Sequence, residues 1–254
     1  IRWLLPGEAA LYIGDQAHVP YGPRPLEEVR AFSQEITQYL LSQGAKLIVV
    51  ACNAASAAAL KHLRQVFPGV PFVGMEPAVK PAAEQTHTGV VGVLATPATF
   101  QGALYASVVE RFAQGVELIQ DTCPGLVAQI ESGALDTPET RAILARALQP
   151  MLARHADTIV LGCTHYPFVI PLIQEMVGPQ VRVVDPAPAI AAQVRRLLEA
   201  NVLLSPLPGP APLHFMTSGD ASALQAQLPR LIGESGAVEA LKWEDNPLRL
   251  MPLQ

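Results

Sequence analysis

The sequence predicts an α/β protein of two similar three-layer lobes with mainly parallel sheets and a cleft between them, and three observations predict it. Short apolar runs rich in β-branched residues alternate with stretches of helical periodicity, the pattern of strand-helix units. Two of those runs end alike, Leu47-Ile48-Val49-Val50-Ala51-Cys52-Asn53 and Thr158-Ile159-Val160-Leu161-Gly162-Cys163-Thr164-His165. Each is followed by a helical stretch, so strand, cysteine, polar residue and helix occur twice. A continuous run without alternation suits a strand buried on both faces of a parallel sheet. Ligands of such sheets bind beyond the carboxyl ends of the strands. Two lobes, each giving one cysteine to a shared cleft, are therefore the simplest architecture.

Taken in order, Leu26 to Gln43 reads as a helix closed by Gly44, and Ala45 to Ala51 as the strand that follows. Ala54 to Phe67 is an alanine-rich helix starting just after Cys52-Asn53. Val70 to Met75 is a strand, and Glu76-Pro77 turns the chain into a helix over Ala78 to Thr86. Thr88-Gly89 precedes the strand Val90 to Ala95, and Pro97 to Phe112 reads as one helix. Val116 to Gln120 is a strand, and Leu126 to Glu131 and Pro138 to His155 are helices. After the strand carrying Cys163 come the helix Val169 to Val177, the strand Val181 to Val184 and the helix Ala187 to Glu199. The proline-rich Ser205 to Pro212 reads as a linker. A strand over Leu213 to Thr217 and a helix over Ala221 to Ile232 follow it, and the tail after Trp243 offers no clear element. Boundaries near Glu76 and Asp185 make residues 1–76 plus 186–254 one lobe and residues 77–185 the other.

Composition narrows the function. Half of the 254 residues are hydrophobic and only 15% are charged, so much of the chain must be interior. No apolar run reaches the roughly 18 to 20 residues that a membrane span needs, and no signal-peptide pattern opens the sequence. Three cysteines, an odd number in a long chain, argue against a disulfide scaffold and fit a reducing, cytoplasmic compartment. A net charge of -5 without a basic cluster argues against nucleic acid as the main partner. No Cys-x-x-Cys occurs, which disfavours a thioredoxin-like role.

The two similar cysteines carry the functional reading. Free cysteine often only packs, but here an apolar run gives way to Cys-Asn and to Cys-Thr-His just where a strand enters its loop. Two thiols facing one bound carbon from opposite sides can remove a proton on one face and return one on the other. Cys123, in Asp121-Thr122-Cys123-Pro124-Gly125, lacks a preceding apolar strand, so packing or surface placement is expected there. Thr96 and Thr99, at the start of a helix, either supply hydroxyls to a ligand or cap that helix. Tyr21-Gly22 lies in the turn-forming Val19-Pro20-Tyr21-Gly22-Pro23.

Three segments together resemble the signature segments of bacterial glutamate racemases, members of the cofactor-independent aspartate/glutamate racemase family. They are Gly14-Asp15-Gln16-Ala17-His18-Val19-Pro20-Tyr21-Gly22, Val50-Ala51-Cys52-Asn53-Ala54-Ala55-Ser56 and Leu161-Gly162-Cys163-Thr164-His165-Tyr166-Pro167. Their order and spacing agree over nearly the whole chain. The resemblance implies interconversion of L- and D-glutamate without pyridoxal phosphate or a metal, to supply D-glutamate for bacterial peptidoglycan. It implies Cys52 acting on the D-enantiomer and Cys163 on the L-enantiomer, with His165 assisting the latter. Glu131 matches a family carboxylate on the same side, and Asp15 is a further acid near the cleft. Tyr21-Gly22, Asn53-Ala54 and Thr164-His165 occupy the family's substrate-binding pairs, with Thr96 and Thr99 as additional donors. Family members are often homodimers. Aspartate racemase of the same fold, or an inactive amino-acid-binding relative, are the alternatives.

Two departures stand out. The family places an Asp-Ser-Gly-x-Gly-Gly segment, whose Asp assists the first cysteine, before the position matched by Ile1, and the expectation is that the sequence as given is trimmed. Ala54 stands where the family usually has Thr, which removes one hydroxyl donor, worth about 0.5 to 1.5 kcal/mol for a neutral hydrogen bond.

Overall fold

A computed structural model describes residues 1–253. Residues 1 to 9 form turns and lead into β1 (Ala10–Gly14), a strand the sequence reading did not separate from the motif after it. The chain continues through α1 (Leu26–Ser42), β2 (Ile48–Val50), α2 (Asn53–Val66), β3 (Phe72–Gly74), α3 (Val79–Gln85) and β4 (Val90–Ala95). It then forms α4 (Pro97–Gln101), α5 (Ala103–Phe112), β5 (Glu117–Asp121), α6 (Leu126–Glu131), α7 (Pro138–Ala153) and β6 (Thr158–Gly162). A 3₁₀ turn over Tyr166–Val169 leads into α8 (Ile170–Val177), followed by β7 (Arg182–Val184) and α9 (Ala187–Ala200). Last come β8 (Leu213–Thr217), α10 (Ala221–Ile232), β9 (Val238–Asp245) and β10 (Leu248–Pro252).

β4 to β7 form one parallel sheet in the order β5-β4-β6-β7. Every residue of β6, and every residue of β4 after Val90, is buried, as the unbroken apolar runs require of strands covered on both faces. Side chains alternate between those faces. Leu94, Ile159 and Leu161 pack with Leu126, Leu144, Leu148, Met151 and Ile173 from α6, α7 and α8. Val91, Val93 and Val160 pack on the other side with Val79 of α3 and Tyr105 and Val108 of α5. Helix, sheet and helix make the three layers.

The other lobe holds two sheets. β2 pairs with β3 in parallel, covered by Leu60 and Leu63 of α2 on one side and by Val194 and Leu198 of α9 on the other. β1, β8 and β9 pair in parallel, and β10 closes the edge as the antiparallel strand. α10 packs on this sheet through Leu224 and Leu228, while Ile36 and Tyr39 of α1 meet Met216, Leu241 and Leu250. The tail after Trp243, expected to hold no element, is thus half of a β-hairpin. Its alternation is short, and its pairing partner lies just before it in sequence.

The helix expected over Pro97 to Phe112 is two helices. Gly102 leaves the helical region with ψ at 137°. A side chain there would meet Ala57 of α2, since a Cβ would come within 2.6 Å of the Ala57 Cβ. Gly44 closes α1 in the left-handed region, φ 85°, as its position predicts. Among the described residues no helix is long and apolar enough to cross a membrane.

Asp157, just before β6, ties the amino-terminal rim of this sheet to the end of α3. It accepts from the Thr86 hydroxyl (2.7 Å), the His87 and Thr88 amides (2.6 and 3.0 Å) and the Thr158 hydroxyl (3.0 Å). Burial works against its charge, but these donors outweigh it and hold the carboxyl at about 2. Its folded value lies below the ordinary carboxylate value, so its stabilisation is full above about pH 4 and fades as pH falls towards 2. Asp157→Asn is expected to cost about 1 to 2 kcal/mol at pH 7, with the deficit shrinking in urea unfolding at pH 2.5. A constant deficit at both pH values contradicts this account.

Candidate active site

The polar motifs all follow strand ends. Asp15 and Gln16 follow β1, Cys52 follows β2, Thr96 follows β4, Cys163 follows β6, and Thr217 closes β8. Parallel pairing sends these ends the same way within each sheet, so each lobe presents one polar rim. The rims meet. The Ala98 amide donates to Gly22 O at 3.2 Å, and the Gly22 backbone lies so close to Thr96 that a Cβ would come within 2.8 Å of the Thr96 Cβ. The Gln16 side chain donates to Glu131 Oε2 at 3.2 Å, and Gln227 of α10 donates to the Glu131 carbonyl at 3.0 Å.

Cys52 is the N-cap of α2. Its extended backbone aims Sγ at the first turn, where it accepts from the Ala55 amide at 3.4 Å. Burial pushes its thiol up to about 11, against the pull of the Ala55 and Ala54 amides and with a further push from charge on Cys163. All three cysteines are free. At neutral pH Cys52 is a thiol. Beside it Asn53 and Ala54 are buried, and neither polar atom of the Asn53 side chain finds a partner among the described residues. Buried amides are normally satisfied, so Asn53 has capacity for a ligand.

Cys163 is 8% exposed and has a different neighbour. His165 Nδ1 lies 3.7 Å from its Sγ, and His165 Nε2 lies 2.5 Å from Glu131 Oε1. Burial pulls the imidazolium down, but the contacts with Cys163 and Glu131 prevail and carry the pKa up to about 10. Glu131 is correspondingly held below the usual carboxylate value, first by its hydrogen bond from His165. A carboxylate, an imidazolium and the Cys163 sulfur thus stand in line. Thr164 is half-buried between Cys163 and His165.

Asp15, offered by the sequence as a further acid, has the geometry of an anchor. Oδ2 accepts from the Tyr21 hydroxyl at 2.5 Å, and Oδ1 from Ser218 at 2.6 Å and Trp243 Nε1 at 2.7 Å. His18 Nδ1 lies 2.9 Å from Oδ2. Tyr21 is thereby fixed beside Gly22 at the lobe contact. Thr96 and Thr99 bond to each other at 3.2 Å, and neither side chain caps α4. Thr99 is buried and Thr96 half-buried against Gly22. Cys123 lies in the core beside Cys163, 2% exposed, and burial raises its thiol far above the usual range. Packing is its place. Sequence reasoning passed over Gln16, Gln227, Thr217 and Trp243, which no motif chemistry flags and whose partners lie far along the chain.

Known proteins agree with this architecture. The family model for Asp/Glu/Hydantoin racemases matches residues 2–194. The chain is 49% identical over 238 residues to the glutamate racemase of Ectopseudomonas mendocina, covering 94% of this chain and 90% of that protein. It is 53% identical over 204 residues to the glutamate racemase of a Roseiflexus species, covering 80% of this chain and 75% of the other. Among solved structures, glutamate racemase RacE1 of Bacillus anthracis superposes with a TM-score of 0.82 at 30% identity, over 94% of this chain and 90% of that one. The Thermus thermophilus enzyme, in complex with β-chloro-D-alanine, gives 0.78 at 38% identity, over 95% and 90%. An architecture of mainly parallel α/β lobes is thus shared with glutamate racemases of known structure, and the chain belongs to the Asp/Glu/Hydantoin racemase family.

Proposed function

We propose that this protein interconverts L- and D-glutamate by moving the Cα proton between two thiols, Cys163 on the face of the L-enantiomer and Cys52 on that of the D-enantiomer. The observation that carries the reading is the pair of free thiols at facing strand ends, one of them coupled to His165 and Glu131. Glutamate rather than aspartate is favoured by the close relatives, which are named glutamate racemases. The role that follows is supply of D-glutamate for peptidoglycan in a bacterium. With it go a cytoplasmic location, which three free thiols suit, and a homodimer, which sedimentation would read as twice the 27.1 kDa chain mass.

With L-glutamate the two cysteines take opposite parts. Cys163 beside the His165 imidazolium is the base, and Cys52, held as a thiol by burial, is the acid that supplies the proton on the opposite face. For D-glutamate the thiols exchange states. Removing the Cα proton loads charge onto the substrate carboxylate, and the Asn53 amide at the start of α2, with those of Thr164 and His165, is the proposed source of hydrogen bonds donated to it. The buried Asn53 amide, Tyr21-Gly22 and the Thr96–Thr99 hydroxyl pair complete the proposed substrate contacts. Asp15 acts by fixing Tyr21, and Glu131 by fixing His165. Ala54 leaves the backbone amide in place without a hydroxyl. The lobes that open and close on the substrate are proposed to divide near Glu76 and Asp185, with residues 1–76 and 186–254 on one side and 77–185 on the other.

Circular dichroism tests the activity without added cofactor. The signals of L-glutamate and of D-glutamate should each decay with the chain and persist with Cys52→Ala and with Cys163→Ala. A folded chain that leaves both signals unchanged, or an alanine variant that racemises at the parent rate, contradicts the proposal. The pH profile tests His165. Because its folded pKa is raised, the imidazolium is present at neutral pH and lost as pH rises through about 10. kcat/KM should fall on that limb. His165→Asn should lower kcat/KM by about 10²-fold or more and abolish the limb, whereas a variant with the parent profile would show that His165 does not serve Cys163.

A further inference from the structure

Gln16 is the residue of the Gly14-Asp15-Gln16 turn for which the reaction above has no use, yet its side chain has a built seat. Its Nε2 lies 3.2 Å from Glu131 Oε2, and its Oε1 lies 2.8 Å from the hydroxyl of Thr217. A carboxylate only accepts, so the amide must turn its NH₂ to Glu131 and its oxygen to the Thr217 hydroxyl, whose one proton it shares with the Gly14 carbonyl at 2.9 Å. Thr217 is fully buried, and its oxygen in turn accepts from the Gly219 amide at 3.0 Å. Gly219 leaves room for the seat, since a Cβ there would come within 2.7 Å of the Gln16 Cβ. Behind Gln16, Asp15 is held by Tyr21, Ser218 and Trp243, so the backbone that carries the amide is fixed as well.

On the other side of the cleft Glu131 needs such a partner. Its side chain is 29% exposed and sits at the last residue of the six-residue α6, with a carboxylate free to turn about its terminal bond. Oε1 serves His165, and Oε2 takes Gln16. We propose that Gln16 is a positioning residue for proton transfer at Cys163, reaching from the opposite lobe to pin Glu131 so that His165 stays aligned on the thiol. It touches neither thiol, so it acts through Glu131 and only while the two rims are together. The inference rests on the racemase reading, and it makes the Cys163 half-reaction sensitive to lobe closure in a way the Cys52 half-reaction is not.

The test compares the parent chain with Gln16→Met, which keeps length and flexibility but loses the donor, and with Gly219→Ala, which displaces Gln16 from its seat without altering it. Because enantiomers are equally stable, kcat/KM must fall by the same factor in both directions, here about tenfold. Isotope effects separate the two half-reactions. With Cys163 impaired, the primary deuterium effect on kcat/KM should grow for α-deuterated L-glutamate, whose proton Cys163 removes. It should shrink for α-deuterated D-glutamate, where reprotonation by Cys163 becomes limiting. Unchanged isotope effects, or effects that move together, overturn the proposal. A second readout is independent of turnover. The His165 resonance, assigned through His165→Asn, should titrate at lower pH in both variants, because Glu131 no longer stays beneath the imidazolium. An unmoved or raised midpoint overturns the proposal even if the parent chain racemises nothing, an outcome that would sink the racemase reading separately.

Discussion

The carboxylate of Glu131 is where the two halves of the site are tied together. One oxygen holds His165 against Cys163, the other takes Gln16 from the opposite lobe, and the backbone carbonyl takes Gln227. Each bond alone is modest, on the order of 1 to 3 kcal/mol where a charge is involved. Their effect is geometric. They join a short helix end, a turn after β1 and a helix of the other lobe around one group beside the Cys163–His165 contact.

The two cysteines have different neighbours, and that difference follows from local structure. Cys52 is a helix N-cap with only backbone amides for partners, and burial outweighs them. Cys163 sits before a 3₁₀ turn, where the chain doubles back and brings His165 to its sulfur two residues later. A reaction that needs one base and one acid at the same moment is served by two sites with different neighbours. A substrate bound between them completes the exchange.

Much of this was legible because it is local. Apolar runs ending in cysteine marked both strand ends, and the helices fell within a few residues of where periodicity and caps put them. Resemblance put Glu131 and His165 separately on the side of Cys163, and their contact with each other at 2.5 Å is read only from the structure. What escaped was long-range or weakly signalled. The β9–β10 hairpin alternates too briefly to stand out, although Asn246-Pro247 at its turn was a usable cue. Trp243 lies in that hairpin, and its bond to Asp15 cannot be read from either segment alone. Gln16 carries no chemistry in its own right and gains meaning only from Glu131, far along the chain. The break at Gly102 depends on how closely α2 passes, a packing fact with no local signature.

The central claim is that two thiols, one from each lobe, handle the proton on opposite faces of one carbon. Single-turnover racemisation of L-glutamate in D₂O tests it directly by the label at Cα of each enantiomer. Two bases predict D-glutamate carrying solvent deuterium from the first turnover while the remaining L-glutamate keeps its proton. D-glutamate that retains the substrate's own proton would mean one base serving both faces, and would contradict the account.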